Sequence, residues 1–175
     1  MTLICRLIAR LAEREAAAPH RIHHFLKVYA LAQTLGAAEA LAPDAQLILE
    51  LAALVHDAGI KPALEKYGSS AGIYQQRESG AAREILAEFG VAEPVLERVG
   101  YLVAHHHTYA GIDGADYQIL VEADFLVNIF EEKMPAAAIK SVYEKIFRTA
   151  SGKQLCRAMY PAAFAGNEGK EVRDF

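Results

Sequence analysis

Apolar residues recur along most of this chain at the i, i+3, i+4, i+7 spacing of a helix face, and no stretch alternates with the period of two that a half-buried strand requires. Leu3, Leu7, Ile8 and Leu11 line one side of an amphipathic N-terminal helix. Further helices are predicted at about 20–35, 44–57, 94–107 and 136–148, because Pro19, Pro43, Pro94 and Pro135 each stand just ahead of a periodic run, where proline suits a first turn. Gly36, Gly59, Gly90 and Gly152 supply stop signals, and apolar spacing alone adds helices near 77–89 and 116–132. Loops are expected at 59–75, carrying KYGSSAG, and at 108–115, carrying TYAGIDG, with a frayed tail over 166–175. The expected fold is all-α, a compact helical bundle forming a single domain over 1–175, with its core at about 20–132 and C-terminal helices at about 136–160.

Several polar residues break this pattern. Between Leu47 and Val55 only Glu50 interrupts an apolar run, the mark of a helix buried nearly all round, and His56 and Asp57 close it. A carboxylate in such surroundings needs hydrogen bonds, a cationic partner or a metal ion, since otherwise it takes up a proton. The anomaly recurs between Tyr117 and Phe130, where Gln118, Glu122, Asp124 and Asn128 are the only polar residues. Glu122 and Asp124 project about 200° apart on a helix, so one ion does not easily engage both. Asp124 shares its face with Asn128, whereas Glu122 pairs with Gln118 and is expected to face water.

The seven histidines fall in three places: His20, His23 and His24; His56; and His105, His106 and His107. His24 aligns with Val28, Leu31 and Leu35 and is expected to point inward. Imidazoles and carboxylates without a thiolate make a nitrogen and oxygen site for Mn²⁺, Fe²⁺, Co²⁺, Ni²⁺ or Zn²⁺. The competing reading is a metal-free network of core ion pairs.

Composition narrows the function classes. With 18 Lys and Arg against 22 Asp and Glu, the net charge of −4 lacks the basic excess that phosphate-backbone binding draws on, so no nucleic-acid partner is expected. The two cysteines, Cys5 and Cys156, form no Cys-x-x-Cys pair, which fits a reducing compartment. The opening MTLICRLIARLAERE is broken by Arg6 and Arg10, unlike a signal peptide, and no apolar run approaches the ~20 residues of a membrane span. A cytoplasmic location is the expectation, with no membrane partner.

A His near the end of a first helical turn (RIHHFLKV), a His-Asp doublet ending a second helix (LAALVHDAG) and a late Asp in a third (LVEADFLVN) together resemble the HD-domain metal-dependent phosphohydrolase superfamily. The resemblance covers about residues 20–132 and implies that His24, His56, Asp57 and Asp124 ligate one divalent ion, with Mg²⁺ joining the metals above. It also implies hydrolysis of a small phosphorylated metabolite, a nucleotide being the first candidate, by attack of a metal-activated water. The alternatives are a nucleotide polyphosphate (phosphoanhydride) hydrolase and a non-catalytic metal- or nucleotide-binding regulatory module. Many members carry Lys three residues after the doublet's Asp, and the deoxynucleotidase branch carries Glu; here Ile60 stands there and Lys61 follows.

Phosphoryl transfer further needs cations and donors near the ion. The candidates for substrate contact are Arg21, Lys61, Arg77, His105 and His106. Asp57, Lys61 and His105 are the candidates for catalysis, the histidine as donor to a leaving alkoxide. Gly68-Ser69-Ser70-Ala71-Gly72 matches the G-x-S-x-G elbow of serine hydrolases but lacks the preceding strand, so a loop over the ion is the preferred reading.

Overall fold

Proline opens four of the helices. In the computed structural model, which describes residues 1–165, α1 spans Leu3–Arg14, α2 Pro19–Ala38 and α3 Pro43–Val55. The short helices α4 (Ile60–Tyr67), α5 (Gly72–Arg77) and α6 (Gly80–Ala87) follow, then α7 (Glu93–His105) and α8 (Ala115–Glu131). Helices α9 (Ala136–Ile146) and α10 (Ala150–Met159) and a 3-10 turn at Pro161–Ala163 complete the order. Pro19, Pro43 and Pro94 lie in the first turns of α2, α3 and α7, and Pro135 precedes α9, each where a missing N–H costs no helical bond. No strand occurs among the described residues, and the fold is all-α. No helix among them is long and apolar enough to cross a membrane. The expected frayed tail, 166–175, lies outside the described residues.

Helices α2, α3 and α8 pack on one another at the centre, and α7 closes on α3. Leu51 through Val55 are fully buried, as the unbroken apolar run requires, and α8 is buried over most of its length. Around this core α1 lays Leu7 and Leu11 inward, while Thr2 caps it by accepting from the Cys5 N–H.

The segment 59–75 departs from expectation, for it is helical where a loop was predicted. Ala63 is fully buried and gives α4 an inward face, which ends at Gly68 in the left-handed region (φ 66°). Helix α5 then folds back so closely that a Cβ at Gly59 would lie 2.7 Å from the Gln75 carbonyl oxygen. The chain just after the His-Asp doublet is thereby pressed under α5.

Gly152 and Glu122 also depart from expectation. Gly152 sits in the first turn of α10, where a Cβ would collide with Glu122 Oε2. Glu122 is fully buried rather than facing water. Its carboxylate accepts from the Arg148 N–H (2.6 Å), the Thr149 N–H (2.9 Å), the Thr149 hydroxyl and the Gln118 amide (2.8 Å), and so ties the α9–α10 turn to α8.

Candidate metal centre

Four elements deliver side chains to one point. His24 comes from α2, His56 and Asp57 from the end of α3, Asp124 from α8 and His106 from the end of α7. His24, His56, Asp124 and His106 are buried, and Asp57 nearly so. His24 Nε2 lies 3.1 Å from His56 Nε2, 3.3 Å from Asp124 Oδ1 and 3.7 Å from Asp57 Oδ2. His56 Nε2 lies 3.5 Å from Asp57 Oδ2 and 3.6 Å from Asp124 Oδ1. Adjacent ligands at about 2.1 Å from one ion stand roughly 3.0–3.4 Å apart, so these spacings suit a shared cation.

The tautomers sharpen the point. His56 Nδ1 donates to the Ala53 carbonyl (2.9 Å), His106 Nδ1 to the Val103 carbonyl (2.7 Å) and His24 Nδ1 to Glu131 Oε2 (2.9 Å). Each neutral ring then presents a bare Nε2 lone pair to carboxylate oxygens. Acceptors facing acceptors repel unless positive charge stands between them. His106 Nε2 and Asp57 Oδ1 show the deficit directly, being 3.5 Å apart and both buried with no hydrogen-bond partner.

The acid-base properties carry the same signature. Burial opposes charge on His24, but Asp124, Asp57 and Glu131 outweigh it and raise its pKa to about 9. Burial likewise opposes ionisation of Asp57, yet His56 and His106 bring it down to about 2, and His24 and His56 pull Asp124 below the usual carboxylate range. The cluster thus favours positive charge at its centre, whether a proton or a dication. The chemistry of the donors and the unpartnered atoms fit a divalent ion.

His24 and Asp57 border an open cleft of about 650 Å³. Of the five residues expected to contact substrate, only Arg21 lines it, together with His20, His23 and Lys27 from the same helix. Arg21 is already paired with Glu15, and Lys27 with Glu131. Ile60 and Leu64 give the cleft an apolar wall, and Ser70 lines it from the GSSAG segment between α4 and α5.

The other expected residues lie elsewhere. Lys61 donates to the Arg14 carbonyl (2.7 Å), because one step past Ile60 turns the side chain toward the end of α1. Arg77 ends α5 with its guanidinium 5.8 Å over the Tyr74 ring. His105 stacks on Tyr101 and pairs with the Tyr101 carbonyl (2.7 Å), and it is not among the residues that line the cleft. His106 stands in the cluster, its Nε2 beside Asp57 Oδ1. Its place was readable, for Val99, Leu102, Val103 and His106 follow the i, i+3, i+4, i+7 stripe that α7 buries. His107 adds a second group with Asp57 and His106, their ligand atoms within 4.8 Å of one another.

Residues 21–150 match the family described as HD domain, and the chain belongs to that family. The match runs past the expected core end near 132 and takes in α9. No curated protein and no solved structure matches the chain.

Proposed function

We propose that this chain is a metal-dependent phosphohydrolase acting on a small phosphorylated metabolite, with a nucleotide as the first class to test. The observation that carries the reading is the convergence of bare acceptor atoms from His24, His56, Asp57 and Asp124 beside an open cleft. These four residues are the proposed ligands. A divalent ion bound there supplies a water of pKa near ~7 and charge to offset that developing on a phosphoryl group. The cleft's cations Arg21 and Lys27 are engaged by Glu15 and Glu131, so the charge that receives a substrate anion would come from the ion, while His20 and His23 line the cleft as candidate imidazole donors for a leaving oxygen. Ile60 and Leu64 suit an apolar body attached to the phosphate.

Purified protein is expected to retain a divalent ion, measurable by plasma mass spectrometry, and to release inorganic phosphate from one member of a phosphomonoester panel. Asp57→Ala should lose both ion and activity; stoichiometric metal in that variant sinks the ligand assignment. Release of pyrophosphate or a nucleoside monophosphate from polyphosphate substrates would instead favour the phosphoanhydride reading.

Two observations support second readings. Ile60 stands where the resemblance leads one to expect the Lys of many HD phosphohydrolases or the Glu of the deoxynucleotidase branch, which favours a module that binds ligand without turnover; thermal stabilisation by nucleotides with no product formed would establish that. The unpartnered pair Asp57 Oδ1 and His106 Nε2, with His107 close by, favours a second ion, and a stoichiometry of two per chain would decide it.

A further inference from the structure

The three imidazoles of the cluster are not held alike. His56 and His106 each donate Nδ1–H to a carbonyl three residues earlier, so the backbone itself fixes them. His24 instead faces a side chain, Glu131, from the last turn of α8. The other oxygen of Glu131 accepts from Lys27, one helical turn after His24, and the Lys27 ammonium lies 5.7 Å over the Phe130 ring. Glu131 stands two turns after Asp124, on the same face as Asn128. One helix therefore carries both a proposed ligand and the group that orients another.

We infer that Glu131 is a positioning residue for the metal centre, which accepts the His24 Nδ1–H and so keeps His24 Nε2 directed at Asp57 and Asp124, while Lys27 holds Glu131 in place. The inference rests on His24 being a metal ligand, as proposed above. Without Glu131 the His24 ring has no partner for Nδ1–H. The neutral ring can then keep its single proton on Nε2 and donate to Asp124, 3.3 Å away, a tautomer that has no lone pair for metal at that atom. A carboxylate partner also makes the imidazole a stronger ligand than a carbonyl does, and removing such partners typically lowers metal affinity by about 10–100-fold.

The test is a Zn²⁺ titration, by calorimetry with a competing chelator, of the wild type, Glu131→Ala, Glu131→Gln, Lys27→Gln and Asp57→Ala. Glu131→Ala should bind Zn²⁺ about 10–100-fold more weakly at unchanged stoichiometry. Glu131→Gln, which keeps an acceptor but not the charge, should fall between, and Lys27→Gln should lose less. In NMR spectra of the Zn²⁺-loaded protein, the His24 Nδ1–H resonance should move upfield and exchange faster in Glu131→Ala, with those of His56 and His106 unmoved. Equal Zn²⁺ affinity in the wild type, Glu131→Ala and Glu131→Gln, or an unmoved His24 resonance, overturns the inference while leaving the ligand assignment standing. A wild type that takes up no Zn²⁺, or Asp57→Ala that binds it as tightly, overturns the ligand assignment and the inference with it.

Discussion

Glu122 and Asp124 stand two residues apart in α8, both buried, yet they face opposite kinds of partner. Glu122 meets donors: two backbone N–H groups, a hydroxyl and an amide. Asp124 meets the Nε2 atoms of His24 and His56, whose Nδ1 atoms are already engaged. The first carboxylate is satisfied by the fold and fastens α10 to α8. The second is satisfied only when positive charge comes to it from a proton or an ion. What separates a structural acid from a chemical one is therefore the character of the surrounding atoms, since depth is nearly the same for both.

Exchanging the two acids in turn is the strongest test. Asp124→Asn should remove the bound ion and lower activity by at least about a thousandfold, while the metal-free fold persists because His24 can give up its proton. Glu122→Ala should leave ion stoichiometry and kcat intact but cost about 3 kcal/mol of stability, as buried donors lose their acceptor. Metal analysis and denaturant melts on both variants decide the matter. Loss of the ion in Glu122→Ala, at a temperature where it is folded, would erase the distinction.

Much of this division was readable in the chain. Two carboxylates in apolar helices, and a histidine in register with Val28 and Leu35, mark the acid cluster without coordinates. The role of Glu122 was hidden, because its donors lie 26 and 27 residues on, in the turn after α9, and no local spacing brings them together. The helices within 59–75 were hidden for a related reason. Their short runs are weakly periodic, and what stabilises them is packing against Gly59 and the core rather than their own propensity. His106 followed the apolar stripe of α7 and Glu131 the polar face of Asp124, so both were within reach of the same rule that placed His24.

Acidity gives the next test, because Asp124 shares its cluster with histidines whose charge it favours. His24 has its pKa raised from 6.5 to about 9, so its contribution to metal-free stability is full below pH 6.5 and is lost as pH rises through about 9. Asp57, lowered from 3.8 to about 2, contributes above pH 3.8 and loses that contribution as pH falls through about 2. In chelator the melting temperature should therefore decline between pH 6.5 and 9. A saturating divalent ion replaces the proton, so it should flatten that decline and add roughly 2.7 kcal/mol at a hundred times Kd. Glu122→Gln should show the same two curves, displaced downward. A melting temperature that rises with pH across this window in chelator would contradict the charge balance described for His24.

Lys61 offers the smallest effect and the finest discrimination. Its charge and its place just after the doublet suggest catalysis, but its ammonium sits on the Arg14 carbonyl, in a hollow bordered by Glu15 and Glu65, where it joins α4 to the end of α1. By the reasoning that separates Glu122 from Asp124, a cation whose partner is a backbone carbonyl belongs to the fold. Lys61→Ala should thus lower stability by about 1 kcal/mol, a shift of roughly 2–4 °C in Tm for a domain of this size, with kcat/KM changed less than about twofold. A tenfold loss of kcat/KM with the ion retained would mean that Lys61 leaves Arg14 and reaches the cleft during turnover. Resting partners would then be a poor guide to role, at Lys61 and equally at Glu122.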